Sequence, residues 1–279
     1  MVADLLRDLD LAARLARRAG ALLLEHLGRL GAGDVGAKSA GRDLVTIADV
    51  AGEEMLVEGL KRAFPEDAIE AEETGVRAVG ERTWFVDPLD GTVNFVHRLP
   101  MFGVSLGCWR DGEPELAVVH LPRLGECFTA ARGHGAFLNG CPIRVSATAR
   151  LEEALLATGF PYRRHLLLDN NLENFQRLFL RQRGIRRMGS AAADLAYVAA
   201  GRLDAFWELH LSPWDVAAGG LLVREAGGVV DTIVPGGDWL RGRNLVAGPA
   251  PLVAAIQRVL RAGRGEDYPP LGEREEPPA

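Results

Sequence analysis

Apolar residues recur at three- and four-residue steps through the first thirty positions: Leu11, Leu15, Ala19, Leu22, Leu23 and Leu27. This spacing places them on one face of a helix, so the pattern predicts an amphipathic α-helix. Arginines at 14, 17 and 18 interrupt the apolar pattern, and we therefore expect neither a signal peptide nor a membrane span there. A second helical pattern covers residues 47–64 and stops at Pro65, which cannot continue a helix.

Strand-like apolar runs then dominate to about residue 146, separated by turn pairs such as Asp111-Gly112 and Asn139-Gly140. The runs are TWFVDP, MFGVSLGCWR, ELAVVHLP, ECFTAAR, GAFLNG and CPIRVS. Their short separations indicate a largely hairpin-connected sheet, because antiparallel neighbours can be joined by tight turns.

The second half of the chain contains both helical and strand-like hydrophobic patterns. Helical patterns lie near 165–182 and 189–202, and later in WDVAAGGLLVREAGG and PLVAAIQRVLRA. Strand-like pieces are RLDAFWEL, GVVDTI and NLVAG. This ordering predicts an α+β protein of stacked helix and sheet layers. We expect an N-terminal half over 1–150 with most of the candidate metal ligands, a C-terminal half over 151–262 that completes the site, and a disordered, charged and Pro-rich tail over 263–279.

Composition limits the possible partners and the compartment. The 279 residues carry a net charge of −6, which favours neither a nucleic-acid nor a membrane-surface partner. The three cysteines do not form a C-x-x-C pair, which suggests a reducing, cytoplasmic environment. The segment GAGDVG at 31–36 has the spelling of a dinucleotide-binding loop, but a predicted helix rather than a strand precedes it.

The segment WFVDPLDGTVNF at 84–95 carries the strongest chemical signal. Asp87 ends an apolar run, where ligands gather in layered folds. Pro88 and Gly91 favour a tight turn, so that Asp87 and Asp90 can converge with the Leu89 carbonyl between them. Thr92 and Asn94 follow where a helix would begin, with backbone N–H groups available to an anion. Taken alone, D-P-x-D-G is also ordinary turn chemistry.

Two further acidic sites change that interpretation. Glu72 and Glu73 precede a turn in IEAEETG, and Asp215 follows a proline at a predicted helix start, where it would also serve as an ordinary N-cap. Together with Asp87 and Asp90 they could form an all-oxygen site for more than one divalent ion, as suits Mg²⁺ and phosphate esters.

The sequence resembles the inositol monophosphatase family of the lithium-sensitive, magnesium-dependent sugar-phosphatase superfamily. The resemblance covers nearly the whole chain up to the tail. Its blocks are KSAGRDLVTIAD, AEETG, WFVDPLDGTVNFVHRLP, GSAAADLAYVAAGRLDAFWE and WDVAAGGLLVREAGG, in the family's order. It implies a layered α-β-α-β-α sandwich, a homodimer, two or three Mg²⁺ ions and lithium sensitivity.

The resemblance also implies residue roles. The first Mg²⁺ would be bound by Glu72, Asp87 and the Leu89 carbonyl, with a third, weaker ion beside Glu72. The second would be bound by Asp87, Asp90 and Asp215. Catalysis would involve Asp49 and Thr92, which orient and deprotonate the attacking water, together with Glu72. Substrate would meet the N–H groups of Gly91 and Thr92, the backbone of Ala191, and the side chains of Glu208 and Asp215.

The activity that these residues imply is hydrolysis of inositol 1-phosphate to myo-inositol and phosphate by a metal-activated water. Val93 and Asn94 stand where the nucleotide-bisphosphate branch has a lysine and a glutamate, which favours an inositol-type phosphate over adenosine 3′,5′-bisphosphate. Fructose 1,6-bisphosphate and histidinol phosphate remain alternatives, and so does a regulatory binding protein without turnover.

Overall fold

The computed structural model describes residues 2–31, 33–39, 43–76, 80–265 and 268–273. The α-helices are α1 (Val2–His26), α2 (Ile47–Ala63), α3 (Thr92–Val96), α4 (Leu172–Phe179), α5 (Ala191–Ala199), α6 (Pro213–Glu225) and α7 (Ala250–Arg261). The strands of the first half are β1 (Val35–Ser39), β2 (Asp43–Thr46), β3 (Ala68–Ala71), β4 (Gly75–Val76), β5 (Arg82–Asp90), β6 (Gly103–Arg110), β7 (Glu113–Leu121), β8 (Glu126–Ala131), β9 (Ala136–Leu138) and β10 (Cys141–Ile143). Those of the second half are β11 (Leu155–Thr158), β12 (Gly184–Arg186), β13 (Ala205–Leu209), β14 (Val229–Asp231) and β15 (Asn244–Gly248).

Two large sheets organise the described part of the chain. The first has the strand order β10-β9-β8-β7-β6-β5-β3-β4 and is antiparallel except for the parallel pair β3 and β5. This confirms the hairpin-connected sheet predicted from the turn pairs. The second has the order β12-β11-β13-β15-β14 and mixes parallel and antiparallel pairs. A separate hairpin pairs β1 with β2.

Helices fill the spaces on and between these sheets. The pair α1 and α2 covers one face of the large sheet, α5 and α6 lie between the two sheets, and α7 covers the outer face of the small sheet. Strand β5 shows why the layers form, because Trp84 and Val86 point to the outer core while Phe85 points to the central one. The layered α-β-α-β-α arrangement expected from the resemblance is therefore confirmed.

The central core draws on both predicted halves, with Phe85 and Val119 from the first and Phe206 and Val216 from the second. The polar ends of the strands are thus brought together from distant parts of the chain. No helix among the described residues has both the length and the apolar character needed to cross a lipid bilayer.

Some elements differ from the sequence-based expectation. The helical pattern at 165–182 yields only the eight-residue α4, because turns occupy most of 162–167. Strands β11 and β12 were not predicted, since runs as short as LLAT and GIR do not reveal their period. Both lie in the small sheet, where parallel neighbours rather than local pattern define them.

The tail after residue 262 also differs from the expected disorder, as far as the structure describes it. Tyr268 is buried, and its hydroxyl lies 2.5 Å from Asn174 Oδ1. Leu168 N donates to Gly272 O at 3.0 Å, so residues 268–273 are held against the loop before α4. The composition of the tail does not predict this packing, because a single buried aromatic side chain, Tyr268, anchors the segment. Residues 266–267 and 274–279 lie outside the described ranges.

Candidate active site

The loop at the end of β5 is shaped by an irregularity in the sheet. The pairing of β5 with β6 shifts register between Asp87 and Asp90, so Pro88 and Leu89 lie outside the ladder. Asp87 Oδ1 accepts a hydrogen bond from Leu89 N at 2.9 Å. Gly91 then adopts φ +93°, and a Cβ at this position would lie 2.8 Å from Met101 O. Only glycine satisfies both the conformation and the space.

Asp90 reaches from this loop into the second half of the chain. Its Oδ2 accepts from Ser190 Oγ at 2.7 Å and from Ala192 N at 2.6 Å, at the start of α5. Burial raises the pKa of Asp90, and these hydrogen bonds oppose the rise because a helix N-terminus favours a negative charge. Ala191, predicted to contact substrate through its backbone, is the first residue of the same helix.

Asp215 and Asp49 occupy equivalent positions in two distant helices. Each is the third helical residue, and each closes a capping box, Asp215 with Ser212 in α6 and Asp49 with Thr46 in α2. The expectation that Asp215 is itself the N-cap was wrong, because Ser212 takes that position and Asp215 Oδ2 accepts from Ser212 N at 2.7 Å. The capping-box spacing could have revealed this in the sequence.

Four acidic side chains face one another where these elements meet. Burial raises the pKa of Asp87 well above its usual value, and the neighbouring carboxylates of Glu72, Asp90 and Asp215 raise it further. Burial also raises the pKa of Asp215 well above its usual value, with Asp90 and Glu72 adding to the effect. Neither Asp87 nor Asp215 forms an ion pair with any residue that the structure describes.

Such a donor set fits a hard divalent cation. Clustered carboxylate oxygens are the ligands of Mg²⁺, and a cation would relieve the repulsion that raises these pKa values. Within the described ranges, however, no three Asp, Glu, His or Cys side chains already close around one point as metal ligands do. Glu72, Asp90 and Asp215 nevertheless line the same cleft, and all three raise the pKa of Asp87.

The predicted pair that acts on water lies next to this cluster. Thr92 Oγ1 is 3.0 Å from Asp49 Oδ1 and 3.1 Å from Leu89 O. Asp49 is fully buried, and burial raises its pKa even though hydrogen bonds from Thr46 and Thr92 oppose the rise.

Asn94 connects the N-terminal and C-terminal halves of the chain. Its Nδ2 donates to Met101 O at 2.6 Å and to Met188 O at 2.8 Å.

A cleft with a cavity volume of about 350 Å³ opens from the cluster. Of the residues predicted to bind substrate, Ala191, Glu208 and Asp215 line it, whereas Gly91 and Thr92 do not. The predicted metal ligands Glu72 and Asp90 also line it. Burial raises the pKa of Glu208 to about 8, although the Arg187 guanidinium opposes the rise. A Cβ at Gly159 would overlap the Glu208 carboxylate, so glycine is required to admit this side chain.

The sequence-based prediction missed three charged residues at the site. Glu53 is buried one turn beyond Asp49, and Asp194 is buried beside the cleft, where burial and then Glu208 and Asp90 raise its pKa well above the usual value. Arg187 lines the same cleft. The four-residue step from Asp49 to Glu53 was a usable signal, because it puts both side chains on one helix face.

The fold and the site define a class: a five-layered α+β protein with a carboxylate-lined cleft between its two sheets. The sequence matches the inositol monophosphatase family over residues 4–262. It is 49% identical over 259 residues to a protein of Pseudomonas aeruginosa named Nus factor SuhB, covering 91% of this chain and 95% of the relative. It is 44% identical to a Thermotoga maritima fructose-1,6-bisphosphatase/inositol-1-monophosphatase, covering 80% of this chain and 83% of that protein.

A solved structure of an inositol monophosphatase also matches the fold of this chain. The inositol monophosphatase of an Anabaena species superposes with a TM-score of 0.83 at 39% identity, covering 92% of this chain and 96% of that one. The chain belongs to the inositol monophosphatase family. The resemblance seen in the sequence is thereby confirmed.

Proposed function

We propose that this protein is a Mg²⁺-dependent phosphatase that hydrolyses the phosphate monoester of a small polyol, with inositol 1-phosphate as the preferred substrate. The observation that carries this proposal is the set of four mutually repelling carboxylates, Glu72, Asp87, Asp90 and Asp215, beside the Asp49–Thr92 pair. A site with this charge is unsuited to a phosphate ester unless cations intervene.

Different residues of the chain would bind the metal ions, activate the water and bind the phosphate. Glu72, Asp87, Asp90, Asp215 and the Leu89 carbonyl would hold two or three Mg²⁺ ions, which supply Lewis-acid activation of water and neutralise charge on the phosphate and leaving oxygens. Thr92 Oγ1, 3.0 Å from Asp49 Oδ1, would orient the attacking water, and Asp49 would accept its proton with Glu72 nearby. The backbone N–H groups of Gly91 and Thr92, at the start of α3, would bind phosphate oxygens.

The cleft favours a small polyol as the alcohol part of the ester. Its volume of about 350 Å³ is at the small end for ligand sites. Glu208 would bind a sugar hydroxyl, as acceptor when ionised and as donor when protonated, since its pKa is raised to about 8. The Thermotoga relative carries both activities in its name, so fructose 1,6-bisphosphate is the principal alternative, followed by histidinol phosphate and adenosine 3′,5′-bisphosphate.

Phosphate release tests the proposal. The purified protein is assayed against inositol 1-phosphate, fructose 1,6-bisphosphate, histidinol phosphate and adenosine 3′,5′-bisphosphate, each with Mg²⁺ and with a chelator. We expect Mg²⁺-dependent release that is fastest with inositol 1-phosphate and is inhibited by Li⁺. Absence of release from all four substrates with Mg²⁺ present would contradict the proposal.

A second candidate is a regulatory binding role in place of turnover, because the Pseudomonas relative at 49% identity is named a Nus factor. The same assay separates the two candidate functions, since a binding protein would release no phosphate from any substrate.

We further propose that the protein is a cytoplasmic homodimer. Sedimentation equilibrium would test the dimer, with a monomer mass counting against it.

A further inference from the structure

Glu53 is a buried carboxylate that has no role in the proposed chemistry. It lies in α2, is 1% exposed, and its Oε2 accepts a hydrogen bond from Glu73 N at 2.7 Å. Its other oxygen, Oε1, has no hydrogen-bond donor among the residues that the structure describes. Burying a charged group is costly unless the group is fully paired, so a side chain serving only to fill space here would be apolar.

The hydrogen bond from Glu73 matters because Glu73 follows a candidate metal ligand. Glu72 N donates to Val86 O at 3.1 Å, which attaches this residue to β5 next to Asp87. The next peptide N–H along the chain is the one bound by Glu53. The two peptide N–H groups that flank the Cα atom of Glu72 are thus held, one by β5 and the other by α2.

Helix α2 is itself fixed against the rest of the site. A Cβ on Gly52 would lie 3.4 Å from Pro88 Cβ, so the helix packs directly on the loop that carries Asp87 and Asp90. Asp49 and Glu53 are four residues apart and share a helix face. One face of α2 therefore contacts both Thr92, through Asp49, and the Glu72–Glu73 segment, through Glu53.

We propose that Glu53 is a positioning residue that sets the place of Glu72 relative to Asp87 by accepting the Glu73 N–H. The inference rests on the proposed function, because it gives Glu72 the role of a Mg²⁺ ligand. Residues that orient metal ligands through a hydrogen bond commonly change metal affinity by about 10- to 100-fold when lost.

The test compares substitutions at Glu53 with one at Glu54, an exposed neighbour on the same helix. Mg²⁺ affinity is measured by calorimetry and by the Mg²⁺-dependent rise in unfolding temperature, and kcat and KM are measured at saturating Mg²⁺. We expect Glu53→Ala to weaken Mg²⁺ binding about 10- to 100-fold while KM for the phosphate ester stays within about twofold of wild type, because the variant leaves the cleft intact. Glu53→Gln keeps an oxygen that accepts the Glu73 N–H, so it should restore affinity to within a few-fold, and Glu54→Ala should match wild type.

Glu53→Asp provides a second route should the alanine variant fail to fold. It keeps the charge but shortens the side chain, which withdraws the acceptor from Glu73 N, so we expect weakened Mg²⁺ binding again. Wild-type affinity in the folded Asp or Ala variant would overturn the inference while leaving the proposed function intact. A wild-type protein that binds no Mg²⁺ would overturn both.

Discussion

The two ends of strand β5 carry acidic clusters that differ in how a cationic side chain meets them. Arg82 forms direct ion pairs at one end, whereas Arg187 at the other end lines the cleft and opposes the rise in the pKa of Asp90. At the start of the strand, Arg82 Nη1 lies 3.1 Å from Asp8 Oδ2 and 3.3 Å from Asp67 Oδ2, and its Nε donates to Glu115 Oε2 at 2.8 Å. At its other end, Asp87 faces Glu72, Asp90 and Asp215, and Asp87 forms no ion pair within the described part of the chain.

The difference lies in the electrostatic environment of the two clusters. The guanidinium of Arg82 also stacks over the rings of Phe64 and Trp84, so this cluster is packed into the core. At the other end, burial and then the carboxylates of Glu72 and Asp90 raise the pKa values of Asp87 and Asp215, and neither of these two residues forms an ion pair within the described part of the chain. This environment fits a bound cation. Acid count alone would not distinguish the two clusters.

We expect the largest effect on activity from a substitution at the Asp87 end of strand β5. We expect Asp87→Asn to lower kcat on the order of 10³-fold, because it removes a ligand proposed for both ions and each metal is worth several kcal/mol. The variant should remain folded in metal-free buffer, since the change removes a buried repulsive charge. Steady-state phosphate release and thermal unfolding measure the two outcomes.

Asp111→Asn is the matched control for that experiment. It makes the same chemical change in an exposed turn of the same sheet, where the backbone has φ +53°, a conformation that asparagine tolerates. Near-normal activity in Asp87→Asn would mean that the cluster is not the active site.

We expect the largest effect on stability from a substitution at the Arg82 end of strand β5. Arg82→Met should lower the free energy of unfolding by about 3–5 kcal/mol, because it removes the ion-pair partner of the buried Asp67 and leaves the buried Glu115 with only the more exposed Arg110. Activity per folded molecule should be retained. Chemical denaturation and an activity assay on the same sample test both parts.

Arg110→Met serves as the control, because Arg110 binds the same Glu115 at 2.9 Å but its side chain is 41% exposed. A loss below about 1 kcal/mol is expected for a pair at the surface. Equal losses in the two arginine variants would show that burial does not set the value of these ion pairs.

The smallest effect concerns the pH dependence of stability at the cleft. The pKa of Glu208 is raised from 4.5 to about 8 in the folded protein, so between these values the folded state binds more protons than the unfolded state. The stability contribution of Glu208 is therefore fully present below pH 4.5 and is lost as pH rises toward 8. Glu208→Gln should show a flatter profile of unfolding free energy against pH in metal-free buffer.

The exposed Glu66→Gln is the control for this measurement and should follow the wild-type profile. If wild type and Glu208→Gln give parallel profiles, Glu208 is not held in an environment that disfavours its ionised form.

Local features of the site could be predicted from the sequence. The apolar run ending at Asp87, the turn residues Pro88 and Gly91, and the helix starting near Thr92 follow from rules that act over a few residues, and the structure contains all of them. The hairpin-connected sheet followed in the same way from its turn pairs. The resemblance to a family supplied the long-range grouping of the acids, which no local pattern contains.

Contacts between distant segments escaped prediction. Strands β11 and β12 form because neighbours complete their ladders, Tyr268 anchors a tail whose composition indicated disorder, and Glu53 reaches Glu73 across twenty residues.

By itself, therefore, the sequence determined which residues are acidic, where the turns lie and which faces of the helices are apolar. The tertiary structure alone decided that Arg82 neutralises one acidic cluster while the other is left with repelling carboxylates. The reason is physical: Coulomb energies depend on separation and burial in space, and the packing of α1, α2 and β5 sets both.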